Sequence, residues 1–441
     1  MADSQRGPLS GPGRAARTVA FHRGAAISRA QFEQHVAAVG GQLPAGAFMV
    51  NLCEDRYHFL VAFAAAMRHR HTVLLPPSRA EQVVAEIAAA NPGSYRCDDA
   101  MVSAGLASLS SQPPLPASIV PPDHVCMIGF TSGSTGQPKR LPKLWRSVSA
   151  TTALSVAAIR AALAVDSDTP VSILATVPPQ HMYGMEFSVL LPLIGDVAVH
   201  SGRPLFPADI AQALAEIPAP RVLVSTPVHL RALVDSVQEF PPSALIISAT
   251  APLEQELARR AERRLGGMLL EVFGSTETCA FANRRTASES AWRLHDGVTL
   301  RPGAESTVVD APWFAEPMTL QDTVELQDDR HFVVRGRGAD MIEVAGKRAS
   351  LADLTRRLLA IESVTDAVVF QPDASAAGVR RVAALVVTSQ LSAQDVLERL
   401  RDSVDPAFLP RPLRVVERLP RNELGKLPRE ALLAALRRTG N

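Results

Sequence analysis

The sequence predicts an α/β protein, with a large N-terminal domain of parallel and mixed sheets, helices and a reduced β-rich insert, and a small mobile α+β C-terminal domain. Short apolar runs alternate with longer segments of helical period from about Gln31 to Val272, a pattern typical of parallel strands joined by crossover helices. The chain has 441 residues, about three times the ~150-residue unit of domain size. More than one domain is therefore expected.

Each element of the large domain is predicted from its apolar period and from the turn residues that flank it. The runs predicted as strands are Phe48–Leu52, Thr72–Leu75, Val125–Phe130, Val171–Val177, Val197–His200, Arg221–Ser225, Ala244–Ser248 and Met268–Val272. The segments predicted as helices are Arg56–Met67, Ala80–Ala90, Lys143–Ala164, Ala208–Ile217, Pro227–Val237 and Leu253–Leu265. This order predicts repeated strand–helix–strand units.

The pattern changes after Thr278. Residues 283–326 contain several Gly and Pro turns and few helical signals, which predicts a compact β-rich insert. Beyond Gly338 an α+β pattern follows, with helices at Leu351–Ala360, Ala393–Val404 and from Pro428, and strands at Val364–Phe370, Val382–Val387 and Leu413–Glu417. We therefore predict a disordered N-terminus over 1–20, a large domain over 21–337 and a small lid domain over 338–441, hinged at 336–339.

Composition excludes several classes of protein. Lys and Arg total 45 against 44 for Asp and Glu, a formal charge of +1, so there is no overall charge that would attract nucleic acid or a membrane surface. No apolar stretch is long enough to span a bilayer, and the N-terminus lacks the apolar core of a signal peptide. Cys53, Cys97, Cys126 and Cys279 have no paired spacing, which favours buried thiols in a reducing compartment. We expect a cytoplasmic protein.

The strongest local signal is the segment Thr131-Ser132-Gly133-Ser134-Thr135-Gly136-Gln137-Pro138-Lys139, directly after an apolar strand. Glycines allow backbone N–H groups to turn toward one point, while the hydroxyls and the lysine add donors and positive charge, which suits a phosphate. It is not the nucleoside-triphosphatase P-loop, because Gln137 and Pro138 separate the last glycine from the lysine. Alone, the segment would also fit a flexible Gly/Ser surface loop.

Three further motifs follow in order: Phe273-Gly274-Ser275-Thr276-Glu277, then Gly336-Arg337-x-x-Asp340, then Gly425-Lys426. Together with the Gly-rich segment they resemble the adenylate-forming superfamily, which contains acyl-CoA and aryl-CoA ligases, adenylation domains of peptide synthetases and luciferase. The resemblance extends from about residue 30 to the C-terminus. It implies that a carboxylate is joined to the α-phosphate of ATP, that pyrophosphate leaves, and that the acyl group then passes to a thiol.

The resemblance also implies roles for individual residues. Thr276 would face the α-phosphate, and Glu277 would be the Mg²⁺ ligand. Asp322 would accept hydrogen bonds from ribose, Arg337 would contact ribose or phosphate, and His181 would lie beside the substrate carboxylate. The mobile catalytic lysine would be Lys426. The other nucleotide-binding residues would be Thr131, Ser132, Gly133, Ser134, Thr135, Gly136, Lys139, Thr250, Gly274 and Ser275.

Each of these residues also has an ordinary interpretation. A lone Asp or Arg in a polar loop is usually a solvated charge, and a lone His is more often structural than catalytic. Lys426 lies in a C-terminal segment with a surplus of basic residues. That surplus would equally meet the phosphates of coenzyme A or an acidic carrier protein.

The sequence departs from the family pattern in ways that bear on function. Ala339 stands where the family hinge has an aspartate, and Asp322 follows Glu277 by only 45 positions, which indicates a shortened insert. Met182 stands where amino-acid-activating relatives carry an aspartate, so amino-acid substrates are disfavoured. Ser248-Ala249-Thr250-Ala251-Pro252-Leu253 replaces a Gly-Gly-Ala-Pro-Leu segment, and the bulkier Ala249 and Thr250 narrow the expected pocket.

We therefore predict an AMP-forming ligase that uses ATP and Mg²⁺ to activate a small aryl or acyl carboxylic acid. The acyl group would pass to the thiol of coenzyme A or to the phosphopantetheine of an acyl carrier protein, and the protein would be a monomer or homodimer without nucleic-acid or membrane partners. The alternative is a non-catalytic sensor that binds nucleotide or acyl-adenylate, favoured by Ala339 and the shortened elements.

Overall fold

The computed structural model describes residues 15–108, 120–132, 138–337, 341–344, 347–372, 382–401, 403–404, 406–423 and 425–437. The chain divides into two compact units. The first comprises 1–298 with 311–316, and the second comprises 299–310 with 317–441. Among the described residues, no helix combines the length and the apolar character that crossing a bilayer requires.

The first unit contains a sheet with the strand order β5-β3-β4-β6-β7. Its strands are β3 (Phe48–Asn51), β4 (Thr72–Leu75), β5 (Ser94–Cys97), β6 (Val125–Ser132) and β7 (Pro138–Leu144). Neighbouring strands are parallel except for β7, which pairs antiparallel with β6. The Gly-rich segment therefore connects two adjacent antiparallel strands, and Thr131 is the register partner of Lys139.

A second sheet of this unit has the order β14-β13-β12-β11-β10-β8-β9-β1-β2. The strands are β1 (Thr18–His22), β2 (Ala25–Ser28), β8 (Ser172–Ala175), β9 (Ala198–His200), β10 (Arg221–Ser225), β11 (Leu245–Ser248), β12 (Met268–Ser275), β13 (Cys279–Arg284) and β14 (Trp292–Leu294). Strands β8 to β12 pair in parallel, which brings their carboxyl ends to one edge. Such an edge is where α/β sheets commonly bind ligands.

Helices cover both sheets, and several of them begin at a side-chain cap. They are α1 (Arg29–Gly40), α2 (Arg56–Arg68), α3 (Glu81–Ala89), α4 (Asp99–Ala107), α5 (Trp145–Leu163), α6 (Met182–Met185), α7 (Leu191–Ile194), α8 (Pro207–Ala215), α9 (Pro227–Asp235) and α10 (Gln255–Leu265), with a π-helical turn at Glu186–Leu190. Ser28 and Gln31 form a capping box at α1, and Asp55 caps α2. These side chains accept the N–H groups that a helix start leaves unpaired.

The larger hydrophobic core of this unit lies between the two sheets. Helix α2 is buried over almost its whole length, from Arg56 to Met67, and packs with Trp145 and Ile159 of α5. Met49 and Met127 reach this core from the first sheet, and residues of β1, β8, β10 and β11 reach it from the second. A second core on the other face of the second sheet holds α8, α9 and α10. Two buried faces explain why these strands are apolar throughout.

The second unit is an assembly of small antiparallel or mixed sheets and short helices. Its elements are β15 (Thr299–Pro302), β16 (Thr307–Asp310), β17 (Met318–Leu320), β18 (Asp322–Leu326), β19 (His331–Arg337), β20 (Met341–Val344), β21 (Lys347–Ser350), α11 (Leu351–Leu359), β22 (Asp366–Phe370), β23 (Ala383–Val387), α12 (Ala393–Arg401), β24 (Leu413–Val415) and α13 (Arg429–Arg437). Among the described residues, β22, β23 and β24 form a sheet whose core includes Leu354, Val386 and Val396.

The predicted fold class is confirmed, and the predicted strands and helices are present with ends shifted by a few residues. One prediction was wrong in a way that matters for the site: Lys143 lies in β7 and not in helix α5. Residues 18–20, assigned from sequence to a disordered N-terminus, belong to β1, because Val19 and Ala20 are buried and β1 pairs with β9. The domain boundary predicted from sequence at 337/338 marks an expected hinge between the large domain and the lid domain, and that hinge stays a proposal. The four cysteines are free and buried, as expected.

Candidate active site

The turn between β12 and β13 carries Thr276 and Glu277 at its tip. The Ser275 hydroxyl accepts hydrogen bonds from the backbone N–H groups of Glu277 and Thr278, each at 3.2 Å, and Thr278 Oγ1 accepts one from Ser275 N at 3.0 Å. A Cβ on Gly274 would collide with the backbone of Cys279 and Ala280, so only glycine fits there. The sequence Gly-Ser-Thr-Glu-Thr thus builds a rigid turn.

Both strands that flank the Gly-rich segment contact this turn. A Cβ on Gly129 of β6 would lie 3.2 Å from Thr276 Cγ2, and Lys143 of β7 donates a hydrogen bond to the carbonyl oxygen of Glu277. The structure therefore brings β6 and β7, the two strands that flank the Gly-rich segment, together with the Thr276–Glu277 turn. Gly133, Ser134, Thr135 and Gly136 lie outside the described residues.

A buried Glu–Lys couple lies beneath the turn. Lys143 is 5% exposed and Glu186, in the π-helical turn, is also 5% exposed. Glu186 Oε2 accepts a hydrogen bond of 2.8 Å from the Ala280 N–H on β13. Burial raises the pKa of the Glu186 carboxyl from 4.5 to about 7, while the Ala280 N–H and the charge of Lys143 oppose that rise. π-Helical turns inside α-helices are frequent at functional sites.

Replacing Glu186 with Gln is expected to remove a pH-dependent loss of stability. Because the pKa of Glu186 is higher in the folded than in the unfolded chain, unfolding releases a proton between pH 4.5 and about 7. As the pH rises through that window, the free energy of unfolding of the wild type therefore decreases, by up to about 3 kcal/mol. Gln keeps an acceptor for the Ala280 N–H and does not ionise, so E186Q should lack this slope.

Urea unfolding of both proteins, at pH values from below 4.5 to above 7, measures this difference. Glu239→Gln is the matched control, because Glu239 is exposed and its loss should leave the wild-type slope unchanged. Parallel pH curves for wild type and E186Q would contradict the assignment of the proton to Glu186.

His181 immediately precedes α6, and its backbone carbonyl accepts the Met185 N–H at 2.7 Å. A Cβ on Gly184 would collide with the Pro178 carbonyl, so this glycine lets α6 pack directly on the segment that leads to His181. Tyr183 Oη donates to the carbonyl oxygens of Ser225 and Ile247, each at 3.0 Å. Tyr183 thus joins α6 to the carboxyl ends of β10 and β11, which positions His181 at that edge.

Thr250, the second residue after β11, has φ of +83°. In the Gly-Gly-Ala-Pro-Leu segment that this part of the chain resembles, the same position is glycine, the residue that adopts positive φ without a Cβ penalty. The β-branched threonine is therefore held in a conformation that costs about 1–2 kcal/mol.

Thr250→Gly is expected to raise the free energy of unfolding by about 1 kcal/mol, since relief of the Cβ clash outweighs the greater flexibility of glycine in the unfolded chain. Thr250→Ala keeps the Cβ, so its free energy of unfolding should rise less than that of Thr250→Gly. The neighbouring Ala249 is the control, because Ala249→Gly gains flexibility without relieving a positive φ and should destabilise. Chemical denaturation of the three variants measures this order, and equal effects of Gly at 249 and 250 would contradict the strain.

Two buried polar atoms at the same edge have no hydrogen-bond partner within the part of the chain that the structure describes. They are Gln180 Oε1, next to His181, and Ser248 Oγ, at the end of β11. Buried polar groups are normally paired, so unpaired ones beside predicted binding residues fit a site that receives a polar ligand. Lys139, at the end of the Gly-rich segment, is exposed.

The remaining predicted residues lie in the second unit. Asp322 is buried at the start of β18, and its backbone is the register partner of Arg337 in β19. Lys426 is exposed in the loop before α13, where Asn422 Oδ1 accepts its N–H at 2.9 Å. Arg421 donates to both carboxylate oxygens of Asp366, at 3.0 and 2.7 Å, and to the Gly425 carbonyl at 2.8 Å. The lysine loop is thus fixed to β22. Ala339 and Asp340 lie outside the described residues.

Sequence reasoning missed Lys143 and Glu186. For Glu186 a usable signal was present, because it is a single charge within an apolar run, and such residues are rarely buried without a partner. Lys143 has Arg140 and Arg146 close by in sequence, so no such signal marked it. Sequence reasoning also missed Arg56, which is fully buried and donates to the carbonyl oxygens of Ala175 and Val177, each at 2.8 Å. Burial lowers the pKa of the Arg56 guanidinium to about 9.

Comparison with known proteins agrees with this architecture. The AMP-binding enzyme family model matches residues 26–313. A 4-coumarate–CoA ligase of Halorhodospira halophila is 32% identical over 311 residues, which cover 67% of this chain and 73% of that protein. A p-hydroxybenzoic acid–AMP ligase, FadD22, of Mycobacterium tuberculosis (strain CDC 1551 / Oshkosh) is 27% identical over 351 residues, 70% of this chain and 48% of that protein.

The crystal structure of ATP-bound MatB from Rhodopseudomonas palustris superimposes with a TM-score of 0.76 at 18% identity, covering 93% of this chain and 94% of that one. The fold is thus that of the adenylate-forming enzymes. The chain belongs to the AMP-binding enzyme family, within its AMP-forming acyl- and aryl-CoA ligases.

Proposed function

We propose that this protein activates a small aryl or acyl carboxylic acid with ATP as its acyl-adenylate and transfers the acyl group to a pantetheine thiol. The observation that carries the proposal is the convergence of β6, β7 and the Thr276–Glu277 turn within the first unit. This convergence supports a site in which phosphate donors, a carboxylate for a hard cation and a positive charge would act together.

In the first half-reaction, a carboxylate oxygen of the acid attacks the α-phosphorus, and the bond from that phosphorus to the bridging oxygen breaks. Pyrophosphate leaves. Thr131, Ser132, Ser134, Thr135 and Lys139 would hold the β- and γ-phosphates, with Gly133 and Gly136 shaping the loop. Thr276 would face the α-phosphate. Gly274, Ser275, Thr250, Asp322 and Arg337 would complete the nucleotide site.

Mg²⁺, when bound, would neutralise phosphate charge, and Glu277 is the residue that would hold it, because carboxylate oxygen suits a hard cation. His181 would lie beside the acid's carboxylate. Lys426 would bridge that carboxylate and the α-phosphate oxygens as they approach, which offsets the repulsion between two anions.

In the second half-reaction, the thiol sulfur attacks the acyl carbon, the thiol proton is lost, and AMP leaves. The relatives named as CoA ligases support coenzyme A as the acceptor, and an acyl carrier protein remains the other pantetheine acceptor to test. Met182, at the position where amino-acid-activating relatives carry an aspartate, supports an acid without an amine.

Carboxylate-dependent exchange of labelled pyrophosphate into ATP tests the first half-reaction. The panel would contain benzoates, cinnamates, medium-chain acids and, as the disfavoured class, amino acids. Exchange with one non-amino acid class supports the proposal, whereas ATP binding without exchange for any acid would favour the sensor. Thioester formation with coenzyme A and with a phosphopantetheinylated carrier protein, followed by mass spectrometry, then identifies the acceptor.

A further inference from the structure

A group of metal-ligating side chains lies where β1 ends and α2 begins. His22 is the last residue of β1, Asp55 caps α2, and His58 lies in the first turn of α2. One potential ligand atom from each lies within 4.8 Å of those from the other two. None of these residues belongs to the nucleotide site proposed above.

The backbone fixes Asp55 for this arrangement. Asp55 Oδ1 accepts the N–H groups of Tyr57 and His58, at 2.8 and 3.0 Å, as the cap of α2. The other oxygen, Oδ2, lies 3.5 Å from His22 Nδ1. The cap therefore leaves one carboxylate oxygen directed at the histidine.

His58 is oriented by a second carboxylate. Its Nδ1 lies 2.9 Å from Asp99 Oδ1, and Asp99 also accepts the backbone N–H groups of Glu54 and Asp55, at 2.7 and 3.2 Å. Because Asp99 Oδ1 acts as an acceptor, the ring proton of His58 is assigned to Nδ1, and the lone pair of the ring is then on Nε2. Metal-binding histidines commonly donate their other ring N–H to a carboxylate in this way.

His22 supplies an atom that needs a partner. Its side chain is 12% exposed, and Nδ1 is buried and makes no hydrogen bond to a described residue, since Asp55 Oδ2 lies 3.5 Å away. The ring is held between aromatic neighbours, 4.9 Å from Tyr57 and 5.3 Å from His58 between ring centroids. A buried ring nitrogen with only this long contact to Asp55 is poorly satisfied, and a cation bound between the nitrogen and the carboxylate would satisfy both.

We infer that His22, Asp55 and His58 form a binding site for a divalent transition-metal ion, best matched by Zn²⁺. Two imidazole nitrogens and one carboxylate oxygen are a ligand set of zinc sites, with water as the fourth ligand. Ligands of tetrahedral Zn²⁺ lie roughly 3.3 Å apart, so binding requires only a small closing movement of the three side chains. The ion would tie the start of α2 to the end of β1.

Metal binding at this site would also affect the edge where the acid is proposed to bind, because Arg56 lies between Asp55 and His58 in α2. Its guanidinium donates to Ala175 and Val177 at the end of β8, directly before the segment that leads to His181. A metal that fixes the first turn of α2 therefore also fixes this support.

Co²⁺ titration of the chelator-treated full chain tests the inference. One equivalent should produce the visible d–d absorption of four-coordinate Co²⁺ without sulfur-to-metal charge transfer, and Zn²⁺ should displace it. His22→Ala and Asp55→Asn should abolish the signal, and Asn still caps α2. Asp99→Asn should weaken binding by about 10- to 100-fold, as loss of a supporting carboxylate does.

His331 and Asp328 provide the matched control, because they form another His–Asp contact at 3.0 Å on an exposed turn. His331→Ala should bind Co²⁺ like the wild type. Far-UV circular dichroism identifies any variant that fails to fold, and His58→Gln then replaces it. Absence of one-equivalent binding, or wild-type affinity in folded His22→Ala and Asp55→Asn, would overturn the site.

Discussion

Lys426→Ala is expected to slow adenylate formation by at least about 10²- to 10³-fold, the effect of losing one transition-state donor, while transfer from a preformed acyl-adenylate continues at the wild-type rate. The reason is that only the first half-reaction brings two anions together. An ammonium between the acid's carboxylate and the α-phosphate stabilises that approach, whereas attack by a thiol on a mixed anhydride does not require it.

The two half-reactions are measured separately, adenylation by pyrophosphate exchange and transfer by supplying synthetic acyl-adenylate with coenzyme A. Arg418→Ala is the control, since Arg418 is an exposed cation in the same C-terminal segment and its loss should affect neither step strongly. An equal decrease of both half-reactions in Lys426→Ala would assign the lysine a general structural role.

Glu277→Gln is expected to reduce adenylation by about 10²-fold and to raise the Mg²⁺ concentration needed for half-maximal rate. The turn itself should survive, because the contacts that build it come from the backbone of Glu277 and from Ser275, Thr278 and Lys143. Gln replaces an anionic oxygen by a neutral one, which binds a hard cation more weakly.

Pyrophosphate exchange at increasing Mg²⁺ concentrations checks this prediction, and partial recovery at high Mg²⁺ is the specific signature. Glu239→Gln, on the exposed segment after α9, should leave the Mg²⁺ curve unchanged. A decrease in rate with an unaltered Mg²⁺ dependence would remove Glu277 from the metal site.

The fold of the large unit could be predicted well because its strands are buried on two faces. Continuous apolar runs such as Leu245–Ser248 and amphipathic segments such as α10 are visible in sequence. The Gly-rich segment and the Thr276–Glu277 turn were recognisable because their chemistry depends on glycines and hydroxyls at fixed spacing.

Other features depend on contacts between residues far apart in sequence, which local pattern does not contain. Lys143 was assigned to a helix because its neighbours have helical period, but pairing of β7 with β6 determines its strand conformation. The partners of Glu186 and His58 are 94 and 41 residues away, respectively. Only the folded chain shows that these buried side chains have partners.

The anchoring of the Lys426 loop by Arg421 and Asp366 bears on protein engineering. Because the loop is bonded to β22, it is inherited together with the sheet of its own unit. Chimeras that exchange C-terminal halves between related ligases should therefore retain both members of this ion pair. A graft that transfers only the loop around Lys426, without Arg421 and Asp366, would lose the ion pair that holds this loop to β22.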